Sequence, residues 1–264
     1  MSKALTILDL QALKGGRKIT FVQVAREEEA IAASQAGVDM IGTAFVPERA
    51  GFARAVPETH FQYGLPWGAH ADATGALRAA MAAMQAGAQS IYCGLSPHVI
   101  EVLAREGVPV ICHVGLVPPK ATWTGGFKAV GKSKAQAVTV LQQVQDFENA
   151  GAYAVEMEVI PAPLAAAITK RTSMLTISLG SGGDCDVQYL FSADLLGENR
   201  GHFPRHAKAY RNFAAERDRL QAERVAAYQE YIADVQNGGF PTKANIVEMD
   251  EVILRDALST ADQG

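Results

Sequence analysis

Two carboxylates and a histidine lie in short apolar segments of this chain, where charged groups are uncommon. Glu156 and Glu158 are two residues apart in segment 154–159, so on an extended strand both side chains point to the same side. A carboxylate in a partly dry interior has a raised pKa, which suits it to accept or donate a proton. His113 ends another apolar segment, where an imidazole can hydrogen-bond a carboxylate or share its proton. These three residues are the candidates for acid–base chemistry.

Each candidate also has an ordinary structural interpretation. His113 could be a hydrogen-bonded packing residue at a strand end, and Glu156 could lie on a solvated strand edge. If both glutamates face one side, their like charges are costly without a counter-charge, so Glu156 would indicate altered chemistry or an added partner. Asp72 follows His70 at the same two-residue spacing and is a candidate metal ligand. It is equally suited to cap a helix that starts near Thr74.

Composition narrows the class of protein. The chain has 264 residues, of which 48% are hydrophobic, enough for a large buried core. A net charge of -4 with interleaved signs leaves no basic face for nucleic acid, and the sequence contains neither a secretory signal nor a long apolar run for a membrane span. Three cysteines suit a reducing compartment better than a disulfide framework. We therefore expect a cytoplasmic protein that binds neither nucleic acid nor a membrane.

Apolar segments rich in β-branched residues alternate with Ala-rich segments of helical period, which is typical of repeated βα units. Four of the predicted helices are followed by glycine directly before the next strand. We predict eight strands at 19–24, 39–45, 65–72, 90–93, 108–113, 154–159, 175–179 and 187–191. Eight parallel strands with short returns favour a TIM (β/α)8 barrel, with a doubly wound open sheet as the alternative.

The C-terminal region has a different pattern. Residues 207–237 predict one or two long charged helices with an apolar stripe, which could pack on the barrel or on a neighbouring subunit. Residues 242–264 are polar and acidic, and could reach a partner subunit or be partly disordered. We treat 1–264 as a single barrel domain carrying these extensions.

Eight segments, in matching order and spacing, resemble the ketopantoate hydroxymethyltransferase family across most of the chain. They are GVDMI from residue 37, CHVGLVPP from 112, GGFKAVG from 125, GAYAVEMEVIP from 151, CDVQ from 185, DLLG from 194, FPR from 203 and DVQNGGFP from 234. The resemblance implies a TIM barrel of the phosphoenolpyruvate mutase superfamily. It also implies a homo-oligomer, since the family forms decamers.

The resemblance further implies a reaction. In the family, a Mg²⁺-bound 2-oxo acid, 3-methyl-2-oxobutanoate, loses a proton beside its ketone and is added to the one-carbon unit of methylenetetrahydrofolate. The metal clamps the substrate oxygens and stabilises the enolate while a base takes the proton. His113 matches the family's active-site histidine, and Glu158 matches its catalytic glutamate. At the position of Glu156, family members usually have an apolar residue.

This chain departs from the family at the metal ligands. The family's metal-binding Asp and substrate-contacting Ser fall on Thr43 and Ala44 with a two-residue gap, or on Phe45 and Val46 without one. Tyr92 replaces a lysine and Gly94 replaces a metal-associated glutamate. A further family Asp falls either on Gly64 or, with a shorter loop, on Asp72. Losing anionic ligands should weaken Mg²⁺ binding severely, so we do not expect a conventional site.

Three functions remain open at this point. The first is an enzyme of the family's type that makes or breaks a C–C bond beside a carbonyl, with Glu158 and His113 at its centre. The second is a lyase or hydrolase of the wider superfamily that uses Tyr92, Glu156 and Asp72 on another substrate. In that case the Tyr92 hydroxyl could donate a hydrogen bond to an enolate oxygen. The third is a catalytically silent barrel.

Overall fold

The computed structural model describes residues 3–70 and 72–262, and its main feature is a closed barrel of eight parallel strands. Each strand pairs with the next in sequence, and the eighth pairs with the first. The strands are β1 (Ile19–Gln23), β2 (Met40–Ala44), β3 (His60–Gly64), β4 (Ser90–Tyr92), β5 (Val110–Gly115), β6 (Ala154–Glu158), β7 (Leu175–Leu179) and β8 (Val187–Phe191). The predicted TIM barrel is confirmed, and the open sheet is excluded.

Helices follow most of the strands. In chain order they are α1 (Ile7–Ala12), α2 (Glu27–Gln35), α3 (Phe52–Ala55), α4 (Ala73–Gln85), α5 (Pro97–Arg105), α6 (Lys134–Asn149), α7 (Ala162–Thr169), α8 (Ser192–Leu195), α9 (Phe213–Asn237) and α10 (Glu251–Ala261). Short 3₁₀ turns cover Pro47–Arg49, Pro118–Thr124 and Lys243–Asn245. None of the helices in the described ranges combines the length and apolarity that a membrane crossing requires.

Two buried layers hold the barrel together. Inside it, Ile19, Ile111 and Val187 belong to one apolar cluster, and Leu10 of α1 packs into the same cluster. Outside it, the strands pack on helices through small residues such as Ala76 and Ala80, which allow close approach. The acid–base candidates His113, Glu156 and Glu158 lie toward the other end of the barrel, where β5 and β6 reach their carboxyl ends.

The third strand lies earlier than predicted. Segment 65–72 was expected to form it, but β3 spans His60–Gly64, and Leu65 adds only one more backbone bond, from its N–H to the Tyr92 carbonyl. Pro66 then ends the pairing because it has no N–H to donate. The apolar run that suggested the strand is thus the loop that follows it.

A second compact unit begins at Asn212. Its helix α9 starts at Phe213, later than the predicted 207, because the Asn212 side chain caps the Ala215 N–H. Gly238, with φ 74°, ends it at the predicted position. Within the predicted polar tail 242–264, the structure contains the eleven-residue helix α10.

Candidate active site

The pairing of β5 with β6 brings the three acid–base candidates together. His113 is in register with Glu156, and Gly115 is in register with Glu158. Residues two apart on a strand share a face, so both glutamates point into the barrel together with the histidine. All three side chains are buried, with exposed fractions of 5%, 7% and 9% for His113, Glu156 and Glu158. The expectation that Glu156 and Glu158 face one side therefore agrees with the geometry.

Short distances connect these side chains. His113 Nδ1 lies 3.7 Å from Glu156 Oε1, and His113 Nε2 lies 3.5 Å from Glu158 Oε2. One donor atom from each of the three residues falls within 4.8 Å of the others. No lysine or arginine pairs with either carboxylate among the described residues. The site thus concentrates two acids without a neutralising cation.

A chain of hydrogen bonds fixes the tautomer of His113. Its Nε2 lies 2.8 Å from the Leu116 carbonyl oxygen, which can only accept, so Nε2 carries the ring proton. Nδ1 is therefore the acceptor for the Tyr92 hydroxyl at 2.7 Å. Burial lowers the pKa of His113 to about 4, so the ring is neutral at neutral pH. Burial raises the pKa of Tyr92 well above its ordinary value, so the phenol keeps its proton.

The pKa values of the two carboxyl groups are raised, whereas that of His113 is lowered. Burial raises the pKa of Glu156 to about 8, and the charge of Glu158 adds to the shift. Burial alone raises the pKa of Glu158 to about 7. Because the groups interact closely, their protons belong to the pair rather than to either residue. At neutral pH the pair can hold one proton and still present one carboxylate, which is the state that both donates and accepts.

The backbone around Glu158 is held in an unusual conformation. Val159 has φ 50°, in the left-handed region that a β-branched residue rarely adopts. The Ser181 hydroxyl fixes this turn by donating to the Met157 carbonyl oxygen at 2.7 Å and accepting from the Ile160 N–H at 2.9 Å. On the β5 side, a side chain at Gly115 would collide with the Glu158 carbonyl oxygen. These contacts hold the backbone that carries the Glu158 side chain.

The three residues line a cavity of about 290 Å³ at the carboxyl ends of the strands. At about 30 Å³ per water molecule, this suits a small organic acid rather than a nucleotide. Gln23, Gln62 and Tyr189 add polar groups that the sequence analysis missed, with the Tyr189 hydroxyl donating to Gln23 Oε1 at 3.1 Å. Gln62 could have been found by its alternation within β3, had that strand been placed correctly.

Of the residues expected to bind substrate, Tyr92, Glu156 and Ala44 line this cavity, but Thr43 does not. Thr43 points to the outside of the barrel, where its hydroxyl donates to the Val24 carbonyl at 2.8 Å and accepts from Arg49 at 3.2 Å. The physical reason is the alternation of side chains along β2, which sends Ala44 inward and Thr43 outward.

Asp72, the candidate metal ligand, is not part of the cluster. It is exposed and acts as the N-cap of α4, accepting from the Gly75 N–H at 2.7 Å. Gly64, the other match to the family's aspartate, ends β3 in register with Ala44 and Tyr92. The capping alternative describes the role of Asp72.

The described residues do not fit the family's Mg²⁺ site. Mg²⁺ requires several oxygen ligands in near-octahedral geometry. The Thr43 hydroxyl points to the outside of the barrel, and Gly64 and Gly94 offer no side-chain oxygen. A Cβ added to Gly94 would lie 3.1 Å from the Tyr92 hydroxyl, so this phenol fills space that a side chain at Gly94 would need. The remaining donors are His113, whose two nitrogens are already hydrogen-bonded, and two carboxyls that hold a proton near neutrality. A cation would have to displace a hydrogen bond of His113 and the proton of the carboxyl pair.

Fold and site together define a (β/α)8-barrel enzyme with buried acid–base residues at the carboxyl ends of its strands. The family profile described as ketopantoate hydroxymethyltransferase matches residues 43–243. The chain belongs to this family, whose members are enzymes.

Curated relatives named 3-methyl-2-oxobutanoate hydroxymethyltransferase support this membership. The protein from Deinococcus radiodurans is 39% identical over 207 residues, which cover 76% of this chain and 70% of the relative. The Geotalea daltonii protein is 31% identical over 93% of this chain and 99% of its own length. A Dehalococcoides mccartyi protein is 34% identical over 65% of this chain and 60% of its own length.

Solved structures share the fold at low sequence identity. A phosphonopyruvate hydrolase in complex with oxalate and Mg²⁺ gives a TM-score of 0.53 at 15% identity and covers 100% of this chain and 98% of that chain. A putative phosphonomutase from Burkholderia cenocepacia gives 0.54 at 14% identity, over 86% of this chain and 99% of that chain. At these identities the likeness shows the barrel fold alone.

Proposed function

We propose that this chain removes a proton from the carbon beside the ketone of a 2-oxo acid and makes or breaks a C–C bond at that carbon. The observation that carries the proposal is the convergence of Glu158, Glu156 and His113 in a cavity of a size suited to a small acid. The names of the relatives favour 3-methyl-2-oxobutanoate as the substrate and hydroxymethyl transfer as the reaction.

Glu158 acts as the proton acceptor. Its carboxyl is the more exposed of the pair, with a pKa raised by burial to about 7, so it carries a negative charge more readily than Glu156. Such a base is well matched to proton transfer near neutral pH. His113 is neutral and acts as a positioning residue: its Nδ1 accepts from Tyr92, and its Nε2–H is bound to Leu116.

A second, larger cavity offers space for a cosubstrate. It measures about 870 Å³ and shares Glu158, Leu179 and Phe191 with the smaller one. Methylenetetrahydrofolate, which the family resemblance implies, is the one-carbon donor that we assign to this space. The reverse reaction, release of formaldehyde by retro-aldol cleavage, would break the same C–C bond.

The test is hydrogen exchange in deuterated water. Purified protein is incubated with a panel of 2-oxo acids, with and without a chelator, and loss of the proton beside the ketone is followed by NMR. We expect exchange with 3-methyl-2-oxobutanoate that survives the chelator. Glu158→Gln should abolish it, whereas Glu101→Gln, which changes a partly exposed carboxylate on α5, should not. Full exchange in Glu158→Gln would overturn the assignment of the base.

The replaced metal ligands favour a second candidate, a lyase or hydrolase acting on a different 2-oxo or hydroxy acid. The same panel separates the two candidates by which member exchanges, while no exchange with any member would indicate a catalytically silent barrel. We further propose that the enzyme is a cytoplasmic homo-oligomer in which α9 and α10 extend the barrel domain. Analytical ultracentrifugation of the full chain and of residues 1–211 tests the oligomer.

A further inference from the structure

Glu156 is the site residue that the family resemblance does not explain. Family members usually have an apolar residue at its position, yet here the carboxyl is buried and points into the cavity, 3.7 Å from His113. A buried carboxylate without a partner is strongly destabilising, so an apolar residue would make a more stable barrel. The carboxyl therefore has a use within the cavity.

The groups that face Glu156 supply no positive charge. They come from four strands: Tyr92 on β4, His113 on β5, Glu158 on β6 and Tyr189 on β8. Two are phenols that keep their protons, one is a neutral imidazole, and one is a second acid. Only a proton can neutralise Glu156 in these surroundings.

The neighbouring donors already have acceptors within the protein. The Tyr92 hydroxyl donates to His113 Nδ1, His113 Nε2–H donates to the Leu116 carbonyl, and the Tyr189 hydroxyl donates to Gln23 Oε1. Among the described residues, no hydrogen bond engages the Glu156 carboxyl. A protonated Glu156 is therefore the strong donor that remains available to a ligand in the cavity.

We propose that Glu156 acts as a neutral carboxylic acid that donates a hydrogen bond to the ketone oxygen of the substrate, the role that a metal ion has in the family. This inference rests on the proposed function and deepens it, because it assigns the group that stabilises the enolate. A carboxylic acid kept neutral in an apolar site is a known way to stabilise an oxyanion.

The step balances without any further reactant. The Glu158 carboxylate takes the proton from the carbon beside the ketone, and the electron pair of that C–H bond forms the C=C bond of the enolate. The negative charge moves to the former ketone oxygen, which the Glu156 O–H holds by a hydrogen bond. Protonation of the carbon by Glu158 reverses the step, so the pair starts and ends with one proton.

The experiment compares Glu156→Gln and Glu156→Leu with wild type by deuterium exchange of 3-methyl-2-oxobutanoate in the presence of a chelator. Glutamine keeps the shape and a weaker donor, whereas leucine restores the apolar character usual in the family. Loss of one oxyanion donor lowers turnover by about 10²- to 10³-fold, so we expect that loss in kcat for leucine and a smaller one for glutamine, with KM changed little. Circular dichroism checks that both variants fold.

The pH profile distinguishes a donor from a structural residue. Wild-type turnover should fall as the pH rises above about 8, where Glu156 loses its proton, and this alkaline decline should disappear in Glu156→Gln. Persistence of the decline in Glu156→Gln would overturn the proposal. So would Glu156→Leu retaining turnover within threefold of wild type, or exchange that requires added Mg²⁺.

A measurement independent of turnover separates this proposal from the proposed function. Infrared difference spectra of wild type minus Glu156→Gln at pH 7 should contain the C=O band of a protonated carboxyl, which should vanish as the pH is raised. If no 2-oxo acid exchanges, the proposed function fails, while the infrared band still reports the proton on Glu156. If the band is missing, the donor proposal fails even when exchange is observed.

Discussion

Gly115 offers a direct test of how the barrel positions its base. The residue has φ 92°, and a Cβ there would collide with the Glu158 carbonyl oxygen and lie 2.8 Å from Ile160 Cγ1. In Gly115→Ala, the left-handed backbone alone costs about 1–2 kcal/mol. Forcing a methyl group into packed surroundings costs a further ~1–3 kcal/mol. Relief of the collision must also shift β6 away from β5, and with it Glu158.

Gly107→Ala is the matched control for this substitution. Gly107 has a similar φ of 79°, but no atom lies within 4 Å of the added Cβ, so only the backbone cost applies. Urea unfolding followed by circular dichroism should give a free energy of unfolding lower by about 1–3 kcal/mol in Gly115→Ala than in Gly107→Ala. Exchange should fall only in Gly115→Ala. Equal stability of the two variants would refute the claim that β5 and β6 touch at this point.

Three further predictions concern the same framework. Val159→Gly should relieve backbone strain of about 1–3 kcal/mol. We therefore expect the free energy of unfolding to be maintained while deuterium exchange slows. A fall in stability that parallels the fall in exchange would count against the strain. Asp186 accepts hydrogen bonds from Lys14, the Gly15 N–H and the Thr176 N–H, which hold the pKa of its carboxyl below its ordinary value. Asp186→Asn should lower the free energy of unfolding by about 3–5 kcal/mol. The stability gained from this carboxylate should be present above about pH 4 and lost as the pH falls, which thermal unfolding measured across pH would show. Because the pKa of Glu156 is raised, the folded state binds the extra proton, so wild-type stability should decrease as the pH rises from about 4.5 to 8, and a matched decrease in Glu156→Gln would contradict this.

The barrel could be predicted from the sequence because its signals are local and repeated. Each strand is a short apolar run, and a glycine with positive φ ends helices before the next strand, as at Gly37, Gly87, Gly107 and Gly151. The third strand was misplaced because its polar members, His60 and Gln62, are buried by tertiary partners. The His60 ring is hydrogen-bonded to the Leu5 carbonyl oxygen and the Ser90 hydroxyl, and neither contact can be recognised from the local sequence pattern.

The site could be predicted only in part. The two-residue spacing of Glu156 and Glu158 implied a shared face, and the family match pointed to His113. The hydrogen bond between Tyr92 and His113 depends on the register of two strands, so the sequence could suggest these residues but not the direction in which the proton points. Asp72 could not be interpreted from the sequence, because an aspartate can bind a metal or cap a helix. The structure shows it capping α4.

The replacements of the family's metal ligands can be explained together, because loss of the cation and loss of the carboxylates around it balance each other in charge. A divalent cation stabilises the carboxylates around it, so without one those carboxylates would repel each other in a dry cavity. The resemblance implies that Gly64 and Gly94 stand at acidic positions of the family, and Tyr92 lies beside both glycines. Only the base, Glu158, and one new acid, Glu156, remain, and a single proton can satisfy both. Introducing a carboxylate by Gly64→Asp should therefore not restore metal binding, because Tyr92 would still fill the space beside Gly94. The new negative charge should instead raise the pKa of the glutamate pair further. If Gly64→Asp gained Mg²⁺-dependent exchange, the cation site would have been only weakened.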